Sequence, residues 1–319
     1  MVELYITILG CGSAKPTLRH HTSSQIINRL GELYMIDCGE GTQRQFHKFG
    51  FHEGQLGNIF ISHAHGDHCL GLIGLLSSMS LNSRYRGINI YIPAYFEQIL
   101  KAQIDFFMPH AEYDIHIYPI DCQEPTLIHS DRHFEVTAIP LHHRVPCYGF
   151  LFREQQGNRH IKPEVIKKYN IPYPKIDFIQ RGYDFTTADG QVIPNEKLTT
   201  PPDLTRSYAY LSDTQPMEKY VELLQGVDLL YHDATYCEGD EQLAFQYDHS
   251  TASQAAEFAQ KCNAGKLLLG HFSSRYNNEA WLLQRAVKHF PRTILADEGL
   301  NVKIVDKTAD GAMFIEWRG

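Results

Sequence analysis

The stretch Ile59-Phe60-Ile61-Ser62-His63-Ala64-His65-Gly66-Asp67-His68 decides the fold, because a short apolar run ends there in three histidines and one aspartate. The apolar residues predict a buried strand, and the polar residues form the turn at its C-terminal end. Imidazole and carboxylate groups suit Zn²⁺, and Mn²⁺ or Fe²⁺ also match them. The alternative is a histidine-rich surface loop, since the chain holds 18 histidines. A metal site is favoured because Gly66 allows a tight backbone between two pairs of ligands.

The spacing of these ligands divides them between two ions. His63 and His65 are two residues apart and can bind one ion from one side. Asp67 and His68 point past them, towards a second ion. The motif therefore predicts a two-metal centre at the end of a strand.

Two segments resemble a known family. The pattern from His63 to His68 resembles the HxHxDH signature of the metallo-β-lactamase superfamily, which implies an α/β fold, a four-layer αβ/βα sandwich with two metals at one edge. The upstream segment Met35–Gln45 resembles the strand and turn of the ribonuclease Z family, the endonucleases that trim the 3′ end of precursor tRNA. The resemblance covers nearly the whole chain, from Leu9 to a closing segment at Ala296–Val302.

Length and composition are those of a globular enzyme, with 319 residues, 43% hydrophobic and 21% charged. Length alone suggests about two domains. Superfamily members nevertheless fold as one. We therefore expect a single metallo-β-lactamase-like domain over residues 1–319, with residues 153–203 as an inserted, protruding RNA-binding arm.

The expected compartment is the cytoplasm, with no membrane partner. No apolar run has membrane-spanning length, and the N-terminus enters Leu4–Leu9 without the basic flank of a secretory signal. The seven cysteines are scattered and are never spaced as CxxC. That pattern supports neither a disulfide framework nor a thiolate zinc site.

The remaining ligand candidates each follow a predicted strand. His142 and His143 both follow the strand Phe134–Leu141, but neighbouring side chains of a strand point to opposite faces, so only one can reach the metal. The segment Arg144–Phe150 resembles the family sequence after its third histidine, which favours His143. The resemblance implies two zinc ions per subunit, with His63, His65 and His143 at one ion, Asp67, His68 and His271 at the other, and Asp213 as the bridge.

The chemistry expected at this centre is phosphodiester hydrolysis. Two ions about 3.5–4 Å apart lower the pKa of a shared water, and Asp67 is placed to steer its proton. The departing 3′ oxygen needs a proton donor, and His249 resembles the histidine of the family's HST motif. Its expected partner is Asp233, where the family has the glutamate of a HEAT sequence.

The substrate contacts are expected in a loop near the N-terminus. The family's PTxxRN loop corresponds to Pro16-Thr17-Leu18-Arg19-His20-His21, so His20 stands where an arginine is expected and Arg19 lies one residue early. We interpret Arg19 and His20 as candidates for contact with a substrate phosphate. Arg275, four residues after His271, is a further candidate.

The predicted arm is the basic part of an acidic chain. A net charge of −8 argues against general nucleic-acid binding, yet seven Lys or Arg residues lie between Arg153 and Arg181 against three acids. Prolines interrupt residues 153–203, and only Glu164–Tyr169 is predicted to be helical. On charge alone, a solvated helix face is an equally good explanation.

The resemblance favours RNA contact. The segment Gly190–Pro194 and its placement between His143 and Asp213 resemble the family's RNA-binding arm, whereas Ile171–Lys175 replaces the usual glycine-proline element. Interleaved aromatic residues suit stacking on RNA. The predicted phosphate contacts are Lys162, Lys167, Lys168 and Lys175.

The predicted function is that of a zinc-dependent endoribonuclease that matures the 3′ side of precursor tRNA. The products are a 3′-hydroxyl on the tRNA and a 5′-phosphate on the trailer. Relatives act as homodimers, in which the arm of each subunit grips the tRNA bound at the other's site. The alternatives are a dinuclear hydrolase of small phosphodiesters or other esters, and a non-catalytic tRNA-binding scaffold.

Overall fold

The computed structural model describes residues 3–82 and 86–305, together with the backbone of residues 314–317. The strands are, in chain order, Leu4–Gly10 (β1), Ser24–Arg29 (β2), Glu32–Ile36 (β3), Leu56–Phe60 (β4), Ile88–Pro93 (β5), Ile115–Ile120 (β6), Thr126–Ser130 (β7), Phe134–Leu141 (β8), Cys147–Glu154 (β9), His160–Ile161 (β10), Phe185–Thr186 (β11), Val192–Ile193 (β12), Thr199–Thr200 (β13), Ser207–Leu211 (β14), Leu229–Asp233 (β15), Lys266–Gly270 (β16), Thr293–Leu295 (β17), Leu300–Lys303 (β18) and Phe314–Trp317 (β19). The helices are Thr42–Lys48 (α1), Gly66–Cys69 (α2), Leu72–Leu81 (α3), Glu97–Phe107 (α4), Pro163–Lys168 (α5), Tyr173–Gln180 (α6), Asn195–Leu198 (α7), Glu241–Gln246 (α8), Ala252–Lys261 (α9) and Ala280–His289 (α10).

Two large mixed sheets form the centre of the molecule. The first has the strand order β19-β18-β1-β2-β3-β4-β5-β6, and the second has the order β17-β16-β15-β14-β9-β8-β7. Strands β3 to β6 run parallel in the first sheet, as do β14 to β17 in the second. Parallel neighbours bring their carboxyl ends to one edge of each sheet, which is where ligands bind in α/β proteins.

Strand β4 shows how the apolar pattern builds the layers. Phe60 faces the second sheet, where its ring centroid lies 5.5 Å from that of Phe150 and 5.3 Å from that of Phe152. Ile59 and Ile61 point the other way and pack in the cluster beneath the helices. Because successive strand side chains alternate in direction, one fully buried strand contributes to two separate apolar layers.

Helices cover the outer face of each sheet. Residues of α1, α3 and α4 pack on the first sheet, and residues of α9 and α10 pack on the second. The order helix, sheet, sheet, helix confirms the predicted four-layer αβ/βα sandwich. The apolar stripe of α3 is buried in this core: Leu72, Leu75, Leu76 and Met79. Across the described ranges, no helix is long and apolar enough to cross a bilayer.

The inserted segment has a small apolar core of its own. Strand pairs β10–β13 and β11–β12 and helices α5 to α7 enclose it. The sequence predicted one helix here, and the structure has three, because the proline of both α5 and α6 falls in the first turn, where its missing N–H costs nothing. The buried side chains are Val165, Ile171, Ile179, Phe185, Ile193 and Leu198.

The inserted segment leaves the second sheet at a buried ion pair. Strand β9 extends to Glu154, whose carboxylate binds the guanidinium of Arg206 in two bonds of 2.6 and 2.7 Å. Arg29 adds a third contact of 2.7 Å to the same carboxylate. Arg206 is almost fully buried. The two ends of the insertion are therefore clamped side by side, and the separate small structure begins after Glu154.

Candidate active site

Residues at or just after the ends of five strands converge at one edge of the sandwich. The turn after β4 carries His63 and leads through His65 into the short helix α2, which bears Asp67 and His68. Three of the other side chains follow the ends of β8, β14 and β16, and the fourth belongs to the last residue of β15. They are His143, Asp213, His271 and Asp233.

The first group consists of three histidines and one carboxylate. His65 Nδ1 lies 2.9 Å from His63 Nε2 and 3.3 Å from His143 Nε2. Asp213 Oδ1 lies 3.8 Å from His63 Nε2. Each of these four residues offers one ligand atom within 4.8 Å of the others. The arrangement is that expected around a single cation.

The second group lies beside the first. His68 Nε2 is 3.3 Å from His271 Nε2, and Asp67 Oδ2 is 3.6 and 3.5 Å from the same two nitrogens. Asp213 Oδ2 faces this group, at 3.1 Å from His68 Nε2 and 3.3 Å from His271 Nε2. Asp213 thus presents one oxygen to each group, which is the position predicted for a bridging carboxylate. The roles of these residues as ligands stay predictions.

Three acidic or imidazole residues of the site adopt left-handed backbone conformations. The φ angles are 57° at Asp37, 54° at Asp213 and 61° at His271, each at or just after a strand end. Such conformations cost of order 1–3 kcal/mol in residues other than glycine. The strained backbone directs Asp213 and His271 into the pocket and Asp37 towards the outer nitrogen of His68.

Outer hydrogen bonds orient the imidazole rings. Asp37 Oδ2 lies 2.8 Å from His68 Nδ1 and also accepts hydrogen bonds from the Ser62 and Tyr210 hydroxyls. Thr235 Oγ1 lies 2.8 Å from His271 Nδ1. A partner on Nδ1 leaves Nε2 aimed at the cation, as metal-binding histidines require. Sequence reasoning placed Asp37 in the family segment and gave it no role; its position at a strand end was the available signal.

Replacing Asp37 by asparagine is expected to lower metal affinity and turnover by about 10–100-fold, because the amide fixes His68 less firmly than a carboxylate does. Isothermal titration of the metal-free protein with Zn²⁺ measures the affinity. Asp131→Asn is the matched control, because Asp131 Oδ2 lies 3.0 Å from His129 Nε2, in a carboxylate–imidazole pair outside the pocket. Equal losses in both variants would mean that Asp37 supports only folding.

The pKa values of the histidines shift in two directions, according to whether burial or nearby carboxylates dominate. Burial lowers the pKa of His143 to about 4 and also lowers those of His63 and His65. Although burial opposes a charge on His271, Asp213, Asp233 and Asp67 raise its pKa to about 10. Neutral imidazoles bind a cation directly, whereas His271 must first release its proton.

A separate pair lies at the rim of the two groups. His249 Nδ1 is 2.7 Å from Asp233 Oδ2, and Asp233 Oδ1 accepts the backbone N–H groups of Thr235 and Ser250. Burial opposes a charge on His249, but Asp233 outweighs it and raises the pKa. His249 also offers a ligand atom near Asp213 and His271. The geometry allows His249 to act either as a proton donor or as an additional metal ligand.

The structure separates the two adjacent histidines that compete as ligands. His143 points into the first group, whereas His142 is 60% exposed and its Nε2 lies 3.2 Å from Asp248 Oδ1. We expect His143→Ala to lose metal and activity, since it removes one of the nitrogens. His142→Ala is the matched control and is expected to keep both. Elemental analysis of the purified variants checks this, and metal loss in the His142 variant alone would reverse the assignment.

The pocket above the two groups has a volume of about 250 Å³. Arg144 lines it and stacks on Tyr247 at 4.8 Å from the ring centroid, although sequence reasoning gave this arginine no role. Arg275 lies over the ring of Tyr236, another lining residue, at 5.6 Å. Arg275 borders a separate cavity and its Nη1 lies 3.5 Å from Asp240 Oδ1, so its contact with a substrate phosphate stays a prediction.

The two candidates from the N-terminal loop point elsewhere. Arg19 pairs with Glu279, and His20 Nε2 lies 3.3 Å from the same carboxylate. His20 Nδ1 is 3.0 Å from Glu298 Oε2. Glu279 and Glu298 already pair with the side chains of Arg19 and His20. Contact of these two residues with a substrate phosphate therefore stays a prediction. The four arm lysines lie in the inserted segment and take no part in the pocket.

The donor set of the pocket fits two metal ions. Imidazole nitrogens and carboxylate oxygens face one another at 2.9–3.8 Å across the two groups. Two histidine nitrogens as close as His63 Nε2 and His65 Nδ1 repel each other unless a proton or a cation lies between them. Nitrogen and oxygen ligands of this kind suit zinc, manganese and iron.

Comparison with known proteins places this fold in one class. The chain matches a family model described as Anti-Pycsar protein Apyc1 over residues 4–162. It superposes on the metallo-β-lactamase fold protein YhfI of Bacillus subtilis with a TM-score of 0.66 and 18% identity, covering 94% of this chain and 99% of that one. The fold is therefore that of the metallo-β-lactamases, as predicted.

The family follows from closer relatives. The chain is 42% identical to a ribonuclease Z of Bacteroides thetaiotaomicron over 308 residues, which are 97% of this chain and 98% of that protein. The structure of the short form of human tRNase Z superposes with a TM-score of 0.67 and 25% identity, covering 93% of this chain and 98% of that one. The chain belongs to the ribonuclease Z family, which confirms the family predicted from its motifs.

Proposed function

We propose that this protein is a metal-dependent endoribonuclease that cleaves precursor tRNA at its 3′ side. The observation that carries the proposal is the pocket itself, in a member of the ribonuclease Z family. Two groups of metal-type ligands share Asp213, and the His249–Asp233 pair stands at their rim. A protein that only bound RNA would need neither the shared carboxylate nor the proton donor.

The reaction breaks the bond between phosphorus and the 3′ oxygen of the tRNA. Two bound ions would polarise the phosphate and lower the pKa of water. The backbone N–H of Ala14 holds Asp67 Oδ2 at 2.6 Å, and Asp67 would orient the attacking water and steer its proton. The phosphate stays on the trailer as its 5′ group, and the tRNA retains a 3′-hydroxyl.

His249 protonates the departing 3′ oxygen. Because Asp233 binds Nδ1, Nε2 is the nitrogen that can donate. The carboxylate also keeps the ring protonated before the reaction, since it raises the pKa of His249. Asp233 is shorter than the glutamate of the family sequence, yet its oxygen still lies 2.7 Å from the imidazole. A group placed in this way contributes about 10²–10⁴-fold to the rate.

We assign zinc to the two groups, with two ions per subunit. Five histidines and two carboxylates form a ligand set that is rich in nitrogen, which suits zinc better than the oxygen-seeking magnesium. One group offers three histidines, and the other offers two histidines and Asp67. Manganese and iron accept the same ligands.

The inserted segment is the proposed tRNA grip. It presents exposed aromatic side chains, of which Tyr173 is 86% and Phe178 is 55% exposed. Lys175 lies 5.7 Å from the ring centroid of Phe178, so charge and stacking surface occur together. Single-stranded or looped RNA is bound by such combinations of cations and aromatic rings. Because the segment has its own core, it can hold this surface away from the pocket.

We expect alanine at Lys167, Lys168 and Lys175 to raise KM for precursor tRNA with little change in kcat. Each lost phosphate contact should flatten the slope of log affinity against log salt by about 0.7–0.9. Lys162 is omitted, because its Nζ bonds to the carbonyls of Glu196 and Lys197 at 3.3 Å and holds the segment together.

The matched control replaces three exposed lysines outside the inserted segment, namely Lys101, Lys219 and Lys288. That variant loses the same charge and should keep the wild-type KM and salt slope. A small chromogenic phosphodiester should be hydrolysed equally by all three proteins, since it needs only the pocket. An unchanged KM in the arm variant would locate the grip elsewhere.

We further propose that the protein is a homodimer and works in the cytoplasm, where precursor tRNA is found. Helix α4 supports an interface, because Phe106 and Phe107 at its end are 78% and 59% exposed. Leu70 and Leu81, around α3, add further exposed apolar surface. Light scattering on the purified protein distinguishes a dimer from a monomer.

Product analysis tests the proposed reaction. A precursor tRNA with a labelled 3′ trailer is incubated with metal-replete protein, and both new ends are identified. We expect one cut beyond the acceptor stem, a 3′-hydroxyl on the tRNA and a 5′-phosphate on the trailer. If the protein hydrolysed small diesters and left the precursor intact, the alternative of a small-substrate phosphodiesterase would replace this proposal.

A further inference from the structure

A second cluster of metal-type ligands lies outside the pocket. Cys11 follows β1, His20 belongs to the loop that returns to β2, and Glu298 precedes β18. Cys11 Sγ is 3.4 Å from His20 Nδ1 and 3.8 Å from Glu298 Oε1, and His20 Nδ1 is 3.0 Å from Glu298 Oε2. None of the three serves in the proposed reaction.

These distances match a tetrahedral zinc site. Bonds of about 2.3 Å to sulfur and about 2.0–2.2 Å to nitrogen or oxygen, at tetrahedral angles, place neighbouring ligand atoms about 3.3–3.6 Å apart. The three measured separations of 3.4, 3.8 and 3.0 Å bracket that range. Because the last two distances end on different oxygens of Glu298, side-chain adjustments would bring one ion into contact with the sulfur, the imidazole nitrogen and the carboxylate.

The surroundings also resemble those of a metal ligand. His20 Nε2, on the far side of the ring, faces Glu279 Oε1 at 3.3 Å, and Glu279 is held in turn by Arg19. Metal-binding histidines commonly donate their second nitrogen to a carboxylate in this way. Cys11 is fully buried, while His20 borders a cavity of about 410 Å³.

We propose that Cys11, His20 and Glu298 bind a third divalent ion of the zinc type, distinct from the two in the pocket. Binding displaces the thiol proton of Cys11 and the proton on Nδ1 of His20, and the resulting thiolate, imidazole and carboxylate are all ligand types that bind zinc in proteins. The inference does not depend on the substrate of the enzyme.

The ion fastens the loop that leads to the pocket. Residues 11–22 cross between β1 and β2, and within them the Ala14 N–H binds Asp67 Oδ2 at 2.6 Å. Ser13 N–H also binds the carbonyl of Phe272, next to His271. Fixing both Cys11 and His20 to Glu298 therefore holds the two ends of the segment that positions Asp67. The site is structural, and its effect on turnover is indirect.

Without an ion, His20 would be an imidazolium between two glutamates. Burial opposes that charge, but hydrogen bonds with Cys11, Glu279 and Glu298 raise the pKa of His20 to about 12. A bound ion and an imidazolium give the cluster the same charge balance but differ in the state of the thiol. Burial raises the pKa of Cys11 to about 12, so the sulfur is a thiolate only when a metal holds it.

Cobalt substitution tests the site, because a thiolate bound to Co²⁺ gives a strong near-ultraviolet charge-transfer band. The pocket ligands are histidines and aspartates and give no such band. We expect the band in Co²⁺-loaded wild-type protein and in Cys147→Ser, which removes another buried thiol near the pocket. Cys11→Ser should lose the band, and zinc content should fall from three ions per chain to two.

His20→Arg is the second variant, chosen because arginine keeps a cation between Glu279 and Glu298 but cannot bind a metal. We expect this variant to fold, to lack the band and to hold two zinc ions. A wild-type protein without the band, or a band that survives both Cys11→Ser and His20→Arg, would overturn the third site and leave His20 as an imidazolium.

Discussion

Replacing Asp213 by alanine is expected to abolish cleavage of precursor tRNA and to strip metal from the pocket. One Asp213 oxygen lies 3.8 Å from His63 Nε2, and the other lies 3.1 and 3.3 Å from the Nε2 atoms of His68 and His271. Both ion positions therefore lose a ligand at once. The rate should fall by more than the roughly 10²–10³-fold that removal of one stabilising group costs.

Elemental analysis and single-turnover cleavage measure the two effects of the Asp213 variant. Asp228→Asn is the control for buried carboxylates, since Asp228 is also buried and accepts hydrogen bonds from the Ser207 N–H and hydroxyl outside the pocket. The control should be less stable than wild type and keep its metals. A full metal content in Asp213→Ala would exclude the bridging role.

Replacing His249 by alanine is expected to lower kcat by about 10²–10⁴-fold while the pocket keeps its metals. The loss arises because the 3′ oxygen then departs without a proton from the ring that Asp233 holds at 2.7 Å. Metal content is the decisive readout, because His249 also lies within ligand distance of Asp213 and His271.

The outcome for His249 separates two roles that the geometry alone allows. A slow variant with full metal content identifies a proton donor. Loss of an ion together with activity identifies a ligand and contradicts the donor role. A substrate with a better leaving group than a ribose 3′ oxygen provides a further check, because it should restore much of the rate only if a proton is what the variant lacks.

The fold was predictable because its signals are local. An apolar strand followed by a polar turn recurs at β4, β8, β14 and β16, and each turn carries a histidine or aspartate that can bind a metal. Parallel strands place such turns at one edge, so order along the chain already implied convergence in space. The family motifs then assigned positions that strand patterns leave open, such as the choice between His142 and His143.

Elements with weak or misleading patterns were missed. Helix α6 begins at Tyr173-Pro174, and the prolines around it masked a helix that uses one of them in its first turn. Strand β9 was not recognised, and its last residue, Glu154, lies within the segment assigned to the arm. The ion pair between Glu154 and Arg206 connects the two ends of the insertion. Composition alone does not predict this contact.

Long-range contacts between polar side chains were beyond sequence reasoning. Asp37 reaches His68 across 31 residues of chain, and His20 reaches Glu298 across 278. Neither pair has a characteristic spacing, since separate strands bring the partners together. The spacing of the cysteines, which includes no CxxC pattern, therefore gave no sign that Cys11 lies beside an imidazole and a carboxylate.

The two-metal centre is tested most directly by anomalous diffraction at the zinc absorption edge from crystals of active, metal-replete protein. Two peaks are predicted in the pocket, one among His63, His65 and His143 and the other among Asp67, His68 and His271. Asp213 should contact both. A single peak in the pocket, or none, in crystals of protein that cleaves precursor tRNA would contradict the proposed centre.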